Sequence, residues 1–116
     1  MHDLALQIAG ALAIFAAVVH SVLGETRVFA KVRIEPPRAR LLLRLVWQCS
    51  AIAWAAGGIL LLALPHIGAP AVRVWVILPL VAVYGFAAIG NAWANRGRHF
   101  GWMVLSGVVA LVLAGL

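Results

Sequence analysis

Long apolar runs alternate with short polar stretches along this chain, and the polar side chains that enter the runs gather toward one end of the stack they would form. The runs predict four helices, over about residues 3–24, 41–64, 72–94 and 100–116. A helix rises ~1.5 Å per residue, so ~20 apolar residues cross a bilayer core of ~30 Å. The expected fold class is therefore all-α, an integral membrane antiparallel four-helix bundle. One membrane domain takes up residues 1–116, because the runs leave no stretch for a separate soluble unit.

The cations divide unequally between the connections. Arg27, Lys31, Arg33, Arg38 and Arg40 fall between the first two runs, Arg44 lies just inside the second, and Arg96 and Arg98 join the third to the fourth. Only Arg73, of nine cations, lies in the remaining connection. The positive-inside rule makes the rich side cytoplasmic and sends both termini outward. Arg27, Lys31, Arg33, Arg44, Arg96 and Arg98 are then expected among anionic lipid headgroups, each contributing on the order of 1 kcal/mol near the surface. Between residues 25 and 35 the spacing of Arg27, Lys31 and Glu35 suits a short interfacial helix, stopped by Pro36 and Pro37, or an ordinary positive loop that only sets topology.

Composition narrows the function. The chain is 66% hydrophobic and 10% charged with a net charge of +6, and it lacks a CxxC, a carboxylate run or a glycine-rich phosphate loop. A conventional enzyme is disfavoured. Because the cations flank apolar segments, they point to anionic phospholipid of the cytoplasmic leaflet and not to nucleic acid. Cys49 is the only cysteine and reads as a small buried hydrophobe. The first run has no basic leader and reads as a retained helix. Trp75, Trp93 and Trp102 fall at helix ends and read as interfacial anchors. Ala13, Ala17 and Ser21, and likewise Ser106, Ala110 and Ala114, repeat every four residues and read as helix contact seams. Pro79 should loosen or kink the third helix.

One polar constellation stands out. His20 lies ~7 Å and Gln48 ~10 Å from the cytoplasmic ends of their helices. Ser21 and Glu25 share a face of the first helix, Arg44 and Gln48 a face of the second. The third helix offers Asn91 and, two turns deeper, Tyr84; the fourth begins at His99. The outer halves are almost wholly apolar, which argues against a two-sided permeation path. Phe15 to His20 also aligns with Phe86 to Asn91, which would set His20 and Asn91 at equal depth.

Two chemistries suit this one-sided cluster, beside a purely structural alternative. His20 with Gln48 or Tyr84 could bind a quinone or lipid headgroup carbonyl while Arg44, Arg96 and Arg98 attract an anionic group. His20 and His99 could ligate a haem or another metal, with Glu25 completing or orienting the shell. The structural alternative has Glu25 paired with Arg44 or Arg27, and His20, Gln48 and Asn91 tying helices together. The leading expectation is a non-catalytic binding or accessory subunit, with a ligand set of His20, Glu25, Gln48, Tyr84, Asn91 and His99. Its partners would be a larger membrane complex or further copies of the chain.

The order His20-Ser-Val-Leu-Gly24-Glu25-Thr-Arg27, Arg44-Leu-Val-Trp47-Gln48 and Arg98-His99-Phe-Gly-Trp102 resembles small four-helix bacterial inner-membrane proteins without assigned activity. That resemblance implies the inner (plasma) membrane and the topology above. The fragment His20-x-x-x-Gly24-x-x-Arg27 looks similar to the histidine and glycine stretch of the cytochrome b anchors of succinate dehydrogenase, and so implies haem at His20. Length and helix count resemble small multidrug-resistance transporters. Those keep a glutamate in the middle of the first helix, where this chain has residues 11–18 without a carboxylate. A proton-coupled transporter is the third expectation.

Overall fold

Proline fixes where two of the helices begin. Its missing N–H costs nothing at a helix start, and its φ suits the first turn. In the computed structural model, which describes residues 1–116, Pro37 opens α2 (Pro37–Ile67) and Pro70 opens α3 (Pro70–Ala94). Both helices start earlier than their apolar runs, because the arginines after Pro37 extend a helix as readily as leucine does. α1 (His2–Leu23) continues through one π-helical turn, Gly24–Val28, and α4 covers Gly101–Ala114. The chain is all-helical, without a strand.

Three helices, His2–Val28 counted with its π-helical turn, Pro37–Ile67 and Pro70–Ala94, are long and apolar enough to cross a membrane. α4 is shorter, 14 residues or ~21 Å. α3 runs unbroken through Pro79. No separate helix forms between residues 29 and 36; the Arg40 guanidinium donates to the Phe29 carbonyl and ties this loop to α2.

α1 is the hub, packed on α2 along one side and on α4 along another, while α3 packs chiefly on α4. α2 and α3 touch sparingly. There Tyr84, fully buried, donates its hydroxyl proton to the Trp54 carbonyl at 2.8 Å. Tyr84→Phe removes that bond and leaves the ring, so it is expected to lower stability by about 1 kcal/mol. Thermal unfolding in detergent micelles checks this.

Two glycines bring α1 and α2 into backbone contact. A Cβ on Gly10 would stand 2.6 Å from the Gly58 carbonyl oxygen, and one on Gly58 2.7 Å from that of Gly10. From this crossing the two helices stay paired as far as Glu25 and Arg44. The seam predicted through Ala13, Ala17 and Ser21 lies here, with both alanines buried. The matching stripe on α4 does not pack inside the chain. Ser106, Ala110 and Ala114 are exposed, because Leu105, Val108 and Val112 turn the opposite face of α4 inward. Cys49 is likewise exposed and not buried, since Gln48 and Ala51 occupy the face of α2 toward α1.

The end of the molecule away from His20 is closed by polar contacts among three helices. Arg73 of α3 pairs with Asp3 of α1, and His2 donates from Nδ1 to the Ala114 carbonyl of α4 at 3.0 Å. The exterior is strongly apolar: Trp75, Phe86 and Trp93 are each about four-fifths exposed.

Candidate functional site

A cavity of about 310 Å³ opens where the C-terminal part of α1, the middle of α2, the end of α3 and the start of α4 converge. Its walls are apolar, with Phe15, Val19, Leu23, Trp54, Phe100 and Leu105 prominent. Its polar groups come from His20, Arg27, Asn91, Asn95 and His99. No carboxylate lines it. Apolar walls with a few convergent polar groups are the common form of a small-molecule site, and the volume lies at the lower end of such sites.

His20 is held on three sides. Its ring stacks on Trp47 with centroids 4.3 Å apart and planes 8° from parallel, and Trp54 covers it at 4.4 Å, tilted by 36°. Trp47 is itself fixed by donating Nε1–H to the His20 carbonyl at 2.8 Å. Gly24 makes this possible, because a Cβ there would lie 2.2 Å from Trp47 Nε1. The ring's Nε2 lies 2.9 Å from Ser50 Oγ, which in turn lies 2.6 Å from the Trp47 carbonyl. A carbonyl only accepts, so the serine proton goes to Trp47 and the histidine must donate from Nε2. In the neutral ring this leaves an acceptor lone pair at Nδ1.

His99 has the opposite polarity. The Gly101 backbone N–H donates to His99 Nδ1 at 3.1 Å, so the neutral ring carries its proton on Nε2. Asn91 lies against the same turn: a Cβ on Gly101 would meet its amide at 3.1 and 3.2 Å. Asn95 donates back to the Asn91 carbonyl at 3.0 Å, closing the end of α3.

The remaining predicted residues form a separate network on the other side of α1. Ser21 donates to Gln48 Oε1 at 2.6 Å, Gln48 donates to Glu25 Oε1 at 2.8 Å, and Arg44 grips Glu25 through Nε at 3.0 Å and Nη2 at 2.6 Å. Glu25 thus turns away from the cavity to Arg44. Each of these four side chains is hydrogen-bonded to another across the α1–α2 contact, the pattern of helix pairing. Glu25→Gln is expected to lower the melting temperature only slightly, because the pair is part-exposed and solvent screens it. Thermal unfolding of the two proteins reads the shift.

Of the residues singled out from sequence, the structure brings His20, Asn91 and His99 to one cavity, with Arg27 at its rim. It sets Glu25 and Gln48 apart, and Tyr84 reaches neither group because Trp54 takes its hydroxyl. Asn91 indeed joins His20, but of the aligned phenylalanines Phe15 lines the cavity while Phe86 faces outward. Lys31, Arg33, Arg96 and Arg98 lie exposed at the same end, Arg33 paired with Glu35 at 3.2 Å. Trp47, Ser50 and Trp54 were not foreseen as site residues, although their i, i+3, i+7 spacing on α2 marks one face.

The donor set does not suit a metal held between the two histidines. A ligating imidazole needs a free lone pair, and that of His99 at Nδ1 is engaged by Gly101. No group of three or more His, Cys, Asp or Glu side chains is arranged to hold a metal ion. Comparison of the chain with protein-family models, curated proteins and solved structures gave no match.

Proposed function

We propose that this chain is an antiparallel four-helix integral membrane protein whose cavity binds the polar head of a membrane-resident amphiphile, lipid or quinone, without transforming it. The observation that carries this reading is the cavity itself, in which apolar walls lead to Arg27, His20, Asn91 and His99 at the cation-rich end. An amphiphile fits such a gradient: its tail lies along apolar side chains and its head meets the polar groups. The apolar exterior supports the membrane setting, since soluble proteins seldom expose apolar surface so extensively. By the positive-inside rule, the cavity opens at the cytoplasmic leaflet of a bacterial-type inner membrane and both termini face outward. Anionic lipid surrounds the exposed cations of that end.

A second reading, an accessory subunit of a larger membrane complex, is favoured by the outward-facing small side chains of Ser106, Ala110 and Ala114 on α4. Native mass spectrometry of the protein drawn gently from its own membranes separates the two. The first reading expects a defined added mass on the wild type that is absent from His20→Ala. A stoichiometric larger protein partner with no small added mass supports the second, and bare monomer in both variants contradicts both.

A further inference from the structure

The two cavity histidines are set to opposite hydrogen-bonding polarities, and each setting is fixed by contacts inside the protein. His20 spends its N–H on Ser50 and keeps an unpartnered acceptor at Nδ1; His99 spends its lone pair on Gly101 and keeps an unpartnered donor at Nε2. Neither free nitrogen is sealed away, because no buried side-chain nitrogen or oxygen lacks a partner. Both are therefore accessible, and the cavity is the space the two rings share.

Charge adds a second selection. Arg27 lines the cavity and no carboxylate does, since Glu25 is turned to Arg44 on the opposite side of α1. An anionic oxygen is matched by Arg27 and by His99 Nε2–H. The His20 lone pair repels an anionic oxygen and requires a ligand O–H or N–H. A quinone offers only acceptors and no charge, so it leaves His20 Nδ1 unanswered. Within the amphiphile-binding reading, on which this step rests, we propose that the cavity selects an anionic lipid with a hydroxylated head, a phosphodiester whose alcohol substituent carries a free hydroxyl. The phosphodiester oxygens face Arg27 and His99, and the hydroxyl donates to His20 Nδ1.

The test compares phosphatidylglycerol with phosphatidylethanol, which has the same charge and diester but no head hydroxyl, and with ubiquinone. Each is offered to delipidated protein in detergent micelles, and the retained lipid is quantified by native mass spectrometry. His20→Phe keeps an aromatic ring between the two indoles and removes the acceptor, so it tests the polarity without emptying the sandwich. The expected result is phosphatidylglycerol retained about tenfold more strongly than phosphatidylethanol, with the preference gone in His20→Phe. Equal, Arg27-dependent retention of both lipids overturns the hydroxyl assignment while the amphiphile pocket stands. Preferred retention of ubiquinone overturns the anionic assignment in the same way. Retention of all three that is unaffected by His20→Phe and Arg27→Gln overturns this proposal and the pocket reading together.

Discussion

Gly58→Leu is expected to break the packing of α1 on α2, lowering stability by on the order of 3 kcal/mol, the upper range for forcing a large side chain into a closed contact. The cause is local and geometric. The Cβ alone would stand 2.7 Å from the Gly10 carbonyl and 2.8 Å from Ile14 Cγ1. Backbone cannot yield as a flexible side chain does, so the helices must separate along the seam that also carries Ser21, Gln48, Glu25 and Arg44. In the membrane setting proposed for this chain the contact matters more than it would in water, because close van der Waals packing and not hydrophobicity joins helices in lipid. Thermal unfolding in micelles gives the magnitude. A Gly85→Leu control, with open space around that position, should change little.

The second large effect is expected from Gly24→Ala, acting on the cavity through Trp47. The new methyl would lie within 2.5 Å of two indole atoms, so Trp47 must leave its place. It then loses its bond to the His20 carbonyl and its stack on the His20 ring, and His20 loses the wall that aims it. Retention of the bound amphiphile should fall about tenfold, which corresponds to about 1.4 kcal/mol. Gly24 is a positioning residue and touches no ligand, so two further readouts distinguish it from a general loss of stability. Trp47 emission should shift in the variant, and the double variant Gly24→Ala with Trp47→Phe should recover part of the retention because the smaller ring leaves room for the methyl. A Gly24→Ala protein with unchanged Trp47 emission and full retention would contradict this coupling.

Much of the helical layout could be read from the apolar runs, because period and length are properties of the sequence alone. The structure departs from the runs where the helix extends beyond its apolar portion, at Pro37 and Pro70, and where helicity continues in π form from Gly24 to Val28. The site was half legible. Depth along the helix follows from counting residues, and it put His20, Asn91 and His99 at one end. Rotation about the helix decides partners, and counting does not give it. Ser21 and His20 are neighbours in sequence, yet the ~100° between them sends one to Gln48 and the other to Ser50. Tyr84 shows the same: it shares a stripe with Asn91, but α2 lies beside its hydroxyl. The polarity of the histidines rests on contacts with Ser50 and Gly101 that no spacing rule marks.

The most direct measurement of the central claim is photo-crosslinking with a lipid whose photoreactive group is carried near the headgroup, in membranes, followed by mass-spectrometric mapping of the labelled positions. The account predicts label concentrated on the cavity walls, at Phe15, Val19 and Phe100, and displaced by excess unlabelled phosphatidylglycerol. Label spread over the outward-facing Phe86, Ile89 and Trp93, insensitive to competitor and absent from the cavity walls, would contradict it.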